Sequence, residues 1–277
     1  MRTEQPYEGV LLACDLDGTL LDPNGSFPSA NAEALRVFLA EGGRFAVATG
    51  RTAFSVERSL ADIPSDLPGI FCNGAHLYDR TAHRTVSSEP LPSGARTLVI
   101  DLLERFEKVG LEIFTEVGAY LVRPSSILQP QIDAEGLKKV ETSLDHIPVK
   151  WLKILLGGEP EELVRIRTYL EETIAAEMSI VSSDSHLLDI MNFGVSKGMA
   201  LRELKESIES VGGPWLVVAV GDNENDLEML RYADVSFAPG NSGESVRSVV
   251  DHVLPHHADP VLPNVLRIIR EKYTNIP

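Results

Sequence analysis

Short, unbroken apolar runs alternate with helical-period stretches in the N-terminal part of the chain. VLLAC, from Val10 to Cys14, reads as a buried strand, because a run without polar alternation suits a strand covered on both faces. A helix is expected over about residues 29–41, where Ala30, Ala34, Leu35 and Phe38 recur near helical spacing and Gly42 and Gly43 supply the stop. RFAVAT is the next strand, a helix over about residues 53–61 follows, and GIFC is the third strand. Strands alternating with helices at short spacing predict a parallel sheet. The C-terminal part repeats the pattern. WLVVAV is a fully apolar strand, followed by a helix over about 224–232, the strand DVSFA, a helix near 244–250, the short HVL, and a last helix near 260–272.

Between these parts the pattern changes. From about Tyr78 to Asn192, strands predominate and often pair: HLY with RTVSS, LEIFT with AYLVR, then KWLKILLG, then MSIVSS with HLLDIM, with helices near 93–109 and 159–172 among them. This is an α+β pattern set inside an α/β one. The expected fold is therefore α/β: a Rossmann-like parallel-sheet core from residues 1–77 and 192–277, interrupted by an inserted α+β unit over 78–191.

Composition narrows the function classes. A chain of 277 residues with 43% hydrophobic residues and a mean hydropathy of −0.01 has an ordinary globular make-up. No apolar run approaches the roughly 18–20 residues that a bilayer crossing needs, and the opening MRTEQPYEGV lacks the apolar segment of a secretion signal. Cys14 and Cys72 each end an apolar run, which suits buried, reduced thiols and a cytoplasmic location; a bridge between them stays open. The formal charge of −16, with no basic stripe, argues against nucleic acid, whose binding depends on Lys and Arg neutralising phosphates. Neither a nucleic-acid nor a membrane partner is expected, and the chain is expected to be a monomer or weak homodimer.

Candidate chemistry gathers where strands end. Asp15 and Asp17 follow VLLAC with only Leu16 between them, and Gly18 and Thr19 come next. In parallel α/β sheets, ligands bind at the carboxyl ends of strands, and residues two apart on an extended segment point the same way. Two carboxylates held that close repel, and Mg²⁺, which takes carboxylate and water oxygens, would relieve the repulsion. A solvated turn is the common alternative for any D-x-D. An EF-hand loop also begins this way, but its sixth position here is Leu20 instead of Gly and its twelfth is Ser26 instead of Glu, so that reading fails.

Other strand ends carry polar clusters. Thr49, Gly50 and Arg51 offer a hydroxyl and backbone N–H groups to phosphate oxygens, although a plain strand-to-helix turn fits the same residues. Lys197 in GVSKG opens a helix that Ser196 is placed to cap. A cation there gains nothing from the helix dipole, which leaves an anionic ligand, an acidic neighbour or simple exposure. Asp222, Asn225 and Asp226 in VAVGDNENDLEML form a second acidic cluster, suited to completing an oxygen-rich cation site. Capping of the next helix by Asp222 or Asn223 would explain one of these residues and not the set. Arg51 and Asn73 lie at strand exits toward the expected cleft. His256 and His257, followed by Asp259, offer a transition-metal reading, but adjacent residues point apart in an extended segment and a third ligand is not evident, so a surface loop is expected; His76, His83, His146 and His186 either line a substrate pocket or are structural or solvated. Neither G-x-x-x-x-G-K-[ST] nor G-x-G-x-x-G occurs.

In chain order, Asp15-Leu16-Asp17-Gly18-Thr19, Thr49-Gly50-Arg51, Lys197, and Gly221-Asp222-Asn223-Glu224-Asn225-Asp226 resemble the four motifs of the haloacid dehalogenase superfamily. Over essentially its full length the chain most resembles the Cof-type phosphatases. FCNGAHLYD looks like that subfamily's exit into its cap, and GVSKGMAL and GDNENDLEML are close to its wording, whereas Asn192 and Phe193 depart from it. The resemblance implies a Mg²⁺-dependent phosphatase of small organic phosphate monoesters, sugar phosphates or phosphorylated cofactor precursors, working through an aspartyl-phosphate. It implies Asp15 as nucleophile and Asp17 as general acid and then base. Mg²⁺ would be held by the Asp15 carboxylate, the Asp17 carbonyl and Asp222, with Asp226 supporting it through water or from behind the direct ligands. Gly18, Thr49, Gly50, Arg51, Lys197 and Asn225 would bind phosphate or substrate, and residues 78–191 would be the cap that selects substrate. A phosphosugar mutase or phosphotransferase on the same fold is the alternative; a non-enzymatic phosphate-binding module would lack part of this acid set.

Overall fold

Val10–Cys14 (β1) is buried at every position because both faces of its sheet are covered. The computed structural model describes residues 5–129, 132, 138–139, 144–148, 150–174, 176–209 and 215–273. In it β1 lies inside a parallel sheet with β2 (Arg44–Val47) on one side and β12 (Leu216–Val220) on the other, followed outward by β13 (Val235–Ala238) and β14 (His252–Val253). Leu12 stands opposite Phe45 and Val218. A parallel bridge from Ala48 to Ile70 leads to β3 (Gly69–Phe71), which pairs antiparallel with β4 (His76–Asp79), itself paired with β5 (Arg84–Ser88).

Alternation along β1 sorts the core into two layers. Val10, Leu12 and Cys14 pack with Phe38, Phe45, Leu262 and Ile269, under the helices Ser29–Ala40 and Val261–Lys272. Leu11 and Ala13 pack with Ala46, Val217, Leu201 and Met229, under the helices Lys197–Glu209 and Leu227–Tyr232. Helices on both faces are what continuous apolar parallel strands require.

The chain between β5 and the Lys197–Glu209 helix builds a second sheet. Its order is β10 (Met178–Asp184), β11 (Leu187–Asn192), β9 (Trp151–Gly157), β6 (Gly110–Thr115), β7 (Gly118–Arg123) and β8 (Lys138–Lys139), antiparallel except between β7 and β8. One face carries the helices Ala95–Arg105 and Pro160–Thr173 through Leu98, Leu102, Leu163, Ile166, Ile154 and Ile190. The opposite face turns Phe114, Leu155 and Met191 toward Cys72, Ala75 and Val195, where the chain leaves and rejoins the first sheet. An α/β fold with a parallel sheet and an added antiparallel one is thus as expected. Cys14 and Cys72 are both buried and are not joined by a disulfide, and among the described residues no helix is long and apolar enough to cross a membrane.

GIFC, expected as the third strand of the parallel sheet, instead forms β3 of an antiparallel sheet with β4 and β5 and meets β2's exit through the Ala48–Ile70 bridge; the helix expected near 244–250 is confined to Glu244–Arg247. The 224–232 segment also differs. The helix anticipated over 224–232 divides into a tight turn, Glu224–Asp226, and a helix, Leu227–Tyr232. The cause is local: Asn223 caps the turn, and the Asp226 carboxylate folds back onto the N–H groups of Asp222 and Asn223 at 2.9 and 3.2 Å. Satisfying otherwise orphaned donors this way ties the segment into a box before the helix begins.

Candidate active site

Asp15 is positioned by continuation of the β1–β12 ladder, its N–H donating to the Val220 carbonyl at 2.9 Å. The chain then makes a wide turn, closed by Leu21 N–H onto the Leu16 carbonyl at 2.9 Å. Gly18 takes φ +76 in this turn, and a Cβ there would lie 2.4 Å from Asp222 Oδ2. Only glycine meets both demands, the left-handed backbone and the close approach. Thr19, buried under the turn, donates its hydroxyl to Asp222 Oδ1 at 2.7 Å, and Asn241 holds the Gly18 carbonyl at 2.8 Å.

Lys197 is fully buried, and its Nζ donates to Asp15 Oδ1 at 2.6 Å and to Asp226 Oδ1 at 2.7 Å. Ser196 caps its helix by accepting the Met199 N–H at 3.0 Å. Of the alternatives open for this lysine, the acidic neighbours are therefore real. Oxygens of Asp15, Asp222 and Asp226 lie within 4.8 Å of one another, so segments far apart in the chain converge on one point.

The electrostatics of that point are unbalanced. Asp15, Asp17, Asp222 and Asp226 gather around two cations, Lys197 and Arg51. At an effective dielectric near 20, a pair of like charges 4 Å apart repels by about 4 kcal/mol. Burial, reinforced by the charges of Asp226, Asp222 and Asp17 and opposed by Lys197, pushes the Asp15 carboxyl well above the usual range. Burial and the Asp226 charge push Asp222 up to about 7, against the Thr19 hydrogen bond and Lys197. Burial works against the Lys197 charge, but Asp15 and Asp226 overcome it, so the ammonium holds its proton more tightly than an ordinary lysine. Crowded, desolvated oxygens with surplus negative charge are the donor set of a hard divalent cation.

Arg51 crosses to the other acid of the first motif. Its Nε and Nη2 grip Asp17 Oδ2 and Oδ1 at 2.8 and 2.6 Å in a two-pronged fork. Thr49 is buried, with its hydroxyl accepting the Arg51 N–H at 3.2 Å. Asn225 donates to Asn73 Oδ1 at 3.0 Å.

Asp15, Asp17, Arg51, Asp222 and Asn225 open onto a cavity of 280 Å³. Asp15, Asp17, Gly18, Gly50, Arg51 and Asp222 form the wall built by the first sheet. Lys153, Ser183, Asp184 and Leu187 close it from the second. Sequence reasoning missed this second group. A signal for Lys153 existed, since it is a lone charge inside the apolar run WLKILLG; the β10–β11 turn carried none. The histidines stay apart from this point. His76 is buried against the Thr85 hydroxyl at 2.9 Å, and the His257 ring meets the Leu21 carbonyl at 2.8 Å.

Comparisons with known proteins identify the family and the fold. A family model described as haloacid dehalogenase-like hydrolase matches residues 12–266. The chain is 27% identical over 258 residues to the pyridoxal phosphate phosphatase of Escherichia coli, covering 88% of this chain and 92% of that protein. It is 25% identical over 262 residues to the HMP-PP phosphatase of Cronobacter sakazakii, covering 89% and 95%. A haloacid dehalogenase-like hydrolase from Bacteroides thetaiotaomicron shares the fold with a TM-score of 0.80 at 22% identity, over 94% of this chain and 100% of that one.

Proposed function

Because this chain belongs to the haloacid dehalogenase-like hydrolases, we propose that it is a Mg²⁺-dependent phosphatase of small organic phosphate monoesters. The observation that carries the reading is the meeting of Asp15, Asp222 and Asp226 within 4.8 Å, with Lys197 bonded to Asp15 and Asp226 beneath a cavity that Asp15 and Asp222 line. Asp15 is the nucleophile: a carboxylate oxygen bonds to phosphorus as the bond to the leaving oxygen breaks, giving an aspartyl-phosphate. Asp17 protonates the departing alkoxide. It then takes a proton from the water that attacks the phosphorus, releasing orthophosphate and restoring the Asp15 carboxylate.

The fork between Arg51 and Asp17 fits this cycle. A phosphate is a competing partner for the guanidinium, so binding of substrate draws Arg51 off Asp17 and leaves that carboxyl facing the leaving group. Thr49, Lys197 and the N–H groups of Gly18 and Gly50 hold the remaining phosphate oxygens, while Asn225 steadies the wall through Asn73. Mg²⁺, held by the carboxylates of Asp15 and Asp222 and the carbonyl of Asp17, would supply the positive charge that lets an anionic nucleophile meet an anionic ester. Asp226, with one oxygen on Lys197 and the other on two N–H groups, supports that set from behind.

Residues 78–191 act as the cap in this reading. Ser183 and Asp184 present a polar, anionic surface to the leaving group. That favours hydroxylated or cationic alcohols, as in sugar phosphates or phosphorylated cofactor precursors, and the names of the two curated relatives point the same way. The chain works in the cytoplasm as a monomer or weak homodimer, without nucleic-acid or membrane partners.

Hydrolysis of p-nitrophenyl phosphate tests the proposal. The wild type turns over with Mg²⁺, stops with EDTA and resumes when Mg²⁺ is restored. Asp15→Asn folds and loses at least about 10³-fold in kcat. Substantial activity in that variant would remove the nucleophile assignment.

A further inference from the structure

Resting on the phosphatase reading, we infer that Lys153 is a positioning residue for the phosphate loop, through which the inserted sheet completes a site begun by the first sheet. Strand β9 is buried at all of its positions, and Lys153 is the charge within it, 2% exposed. A buried ammonium persists only where partners replace its water. Nζ ion-pairs with Asp189 Oδ1 on neighbouring β11 at 2.8 Å, lies 4.2 Å from the centroid of the Phe114 ring, and donates to the Gly50 carbonyl at 2.9 Å. The first two contacts stay within the second sheet. The third crosses to the loop that follows Thr49.

Asp189 extends the connection. Its other oxygen accepts from Asn73 Nδ2 at 2.9 Å, and Asn73 Oδ1 accepts from Asn225 at 3.0 Å. Asn73 makes these bonds from a left-handed backbone, φ +55, which asparagine tolerates better than most residues. A continuous polar path therefore runs from Gly50 through Lys153, Asp189 and Asn73 to the Asp222–Asp226 turn. Gly50 leaves room for it: a Cβ there would sit 3.1 Å from Asn73 Oδ1 and 3.5 Å from Lys153 Nζ.

The consequence for phosphate follows from peptide geometry. The Gly50 carbonyl and the Arg51 N–H share one planar unit and point in opposite directions. With the carbonyl held by Lys153, the Arg51 N–H is directed to the Thr49 hydroxyl at 3.2 Å. A hydroxyl that accepts this bond turns its own proton toward another acceptor, and a bound phosphate oxygen is one. Lys153 thus acts on substrate through the peptide plane.

The test compares orthophosphate affinity and p-nitrophenyl phosphate kinetics, with Mg²⁺ present, in the wild type, Lys153→Arg and the double variant Lys153→Met/Asp189→Asn. The double variant removes both members of the Lys153–Asp189 ion pair, so neither partner of that pair is left charged without the other, and the amide oxygen introduced by Asp189→Asn keeps an acceptor for Asn73. This variant melts cooperatively, binds Mg²⁺ as the wild type does, and shows weaker orthophosphate binding and a higher KM, each by about 10- to 100-fold, the scale of one charge-assisted hydrogen bond. Lys153→Arg falls between it and the wild type. A folded double variant, or a Lys153→Arg variant, with orthophosphate affinity and KM both unchanged from the wild type would overturn the inference alone. A wild type that neither hydrolyses the ester nor binds orthophosphate would overturn the phosphatase reading, and this inference with it.

Discussion

A lysine at the first position of a helix faces the positive end of the dipole, a cost of about 0.3–1 kcal/mol, and Lys197 is buried there besides. It is tolerated because Asp15 and Asp226 meet it from two other segments. Those acids are then too many for one ammonium, and Asp222 shows the result. Its carboxyl moves from an ordinary 3.8 to about 7, chiefly through burial and then through the Asp226 charge. A raised carboxylate pKa means that the folded state keeps a proton the unfolded chain has already lost. The associated stability is complete below about 3.8 and is lost as pH rises through about 7. Metal-free protein should therefore melt at a lower temperature at pH 8 than at pH 6. Added Mg²⁺ should raise the melting temperature more at pH 8, where no proton competes for the Asp222 oxygens. Scanning calorimetry at both pH values, with and without Mg²⁺, reads this; equal increments would remove Asp222 from the metal site.

The turn Glu224–Asp226 shows how an element joins two sheets. Glu224 accepts two bonds from Arg167, at 3.0 and 3.3 Å, and the Ser182 N–H at 3.2 Å, while Asn223 donates to the Ser183 carbonyl at 2.9 Å. Strand β10 is thereby fastened to the turn that carries Asp222. The ion pair is partly exposed, so Glu224→Ala should cost less than about 1 kcal/mol by denaturant titration. Hydrogen exchange at the Ser182 amide should nonetheless accelerate, because its acceptor is gone. Elements also explain what could be read beforehand. Asp15, Thr49, Lys197 and Asp222 stood out because each belongs to a contiguous polar cluster at a strand or helix end. Lys153 and Asp189 did not, since each is a single charge in an apolar strand and only pairing of β9 with β11 unites them. The division of the 224–232 helix was hidden for a similar reason: nothing in GDNENDLEML tells whether Asp226 turns outward or back onto its own backbone.

At the scale of the molecule, two sheets with separate cores meet at the cavity, one supplying the acids and the other the wall opposite them. Exchange of residues 78–191 for the matching segment of a relative, chosen to keep a lysine and a carboxylate at positions 153 and 189, should reorder kcat/KM across a panel of phosphate esters. Hydrolysis itself, and its dependence on Asp15, should persist. If the ranking followed the first sheet instead, residues 78–191 would not be the selecting unit. The same arrangement bears on how the protein comes into being. β1 sits between β2, which follows it closely, and β12, so that Val10 must wait for Leu216 before its second ladder can close. On the ribosome, one edge of a wholly apolar strand is left open until most of the chain has been translated, an invitation to premature association. Nascent chains halted before residue 216 should therefore be clients of chaperones, and Asp15, the proposed nucleophile, is synthesised well before the β12 segment that completes its surroundings.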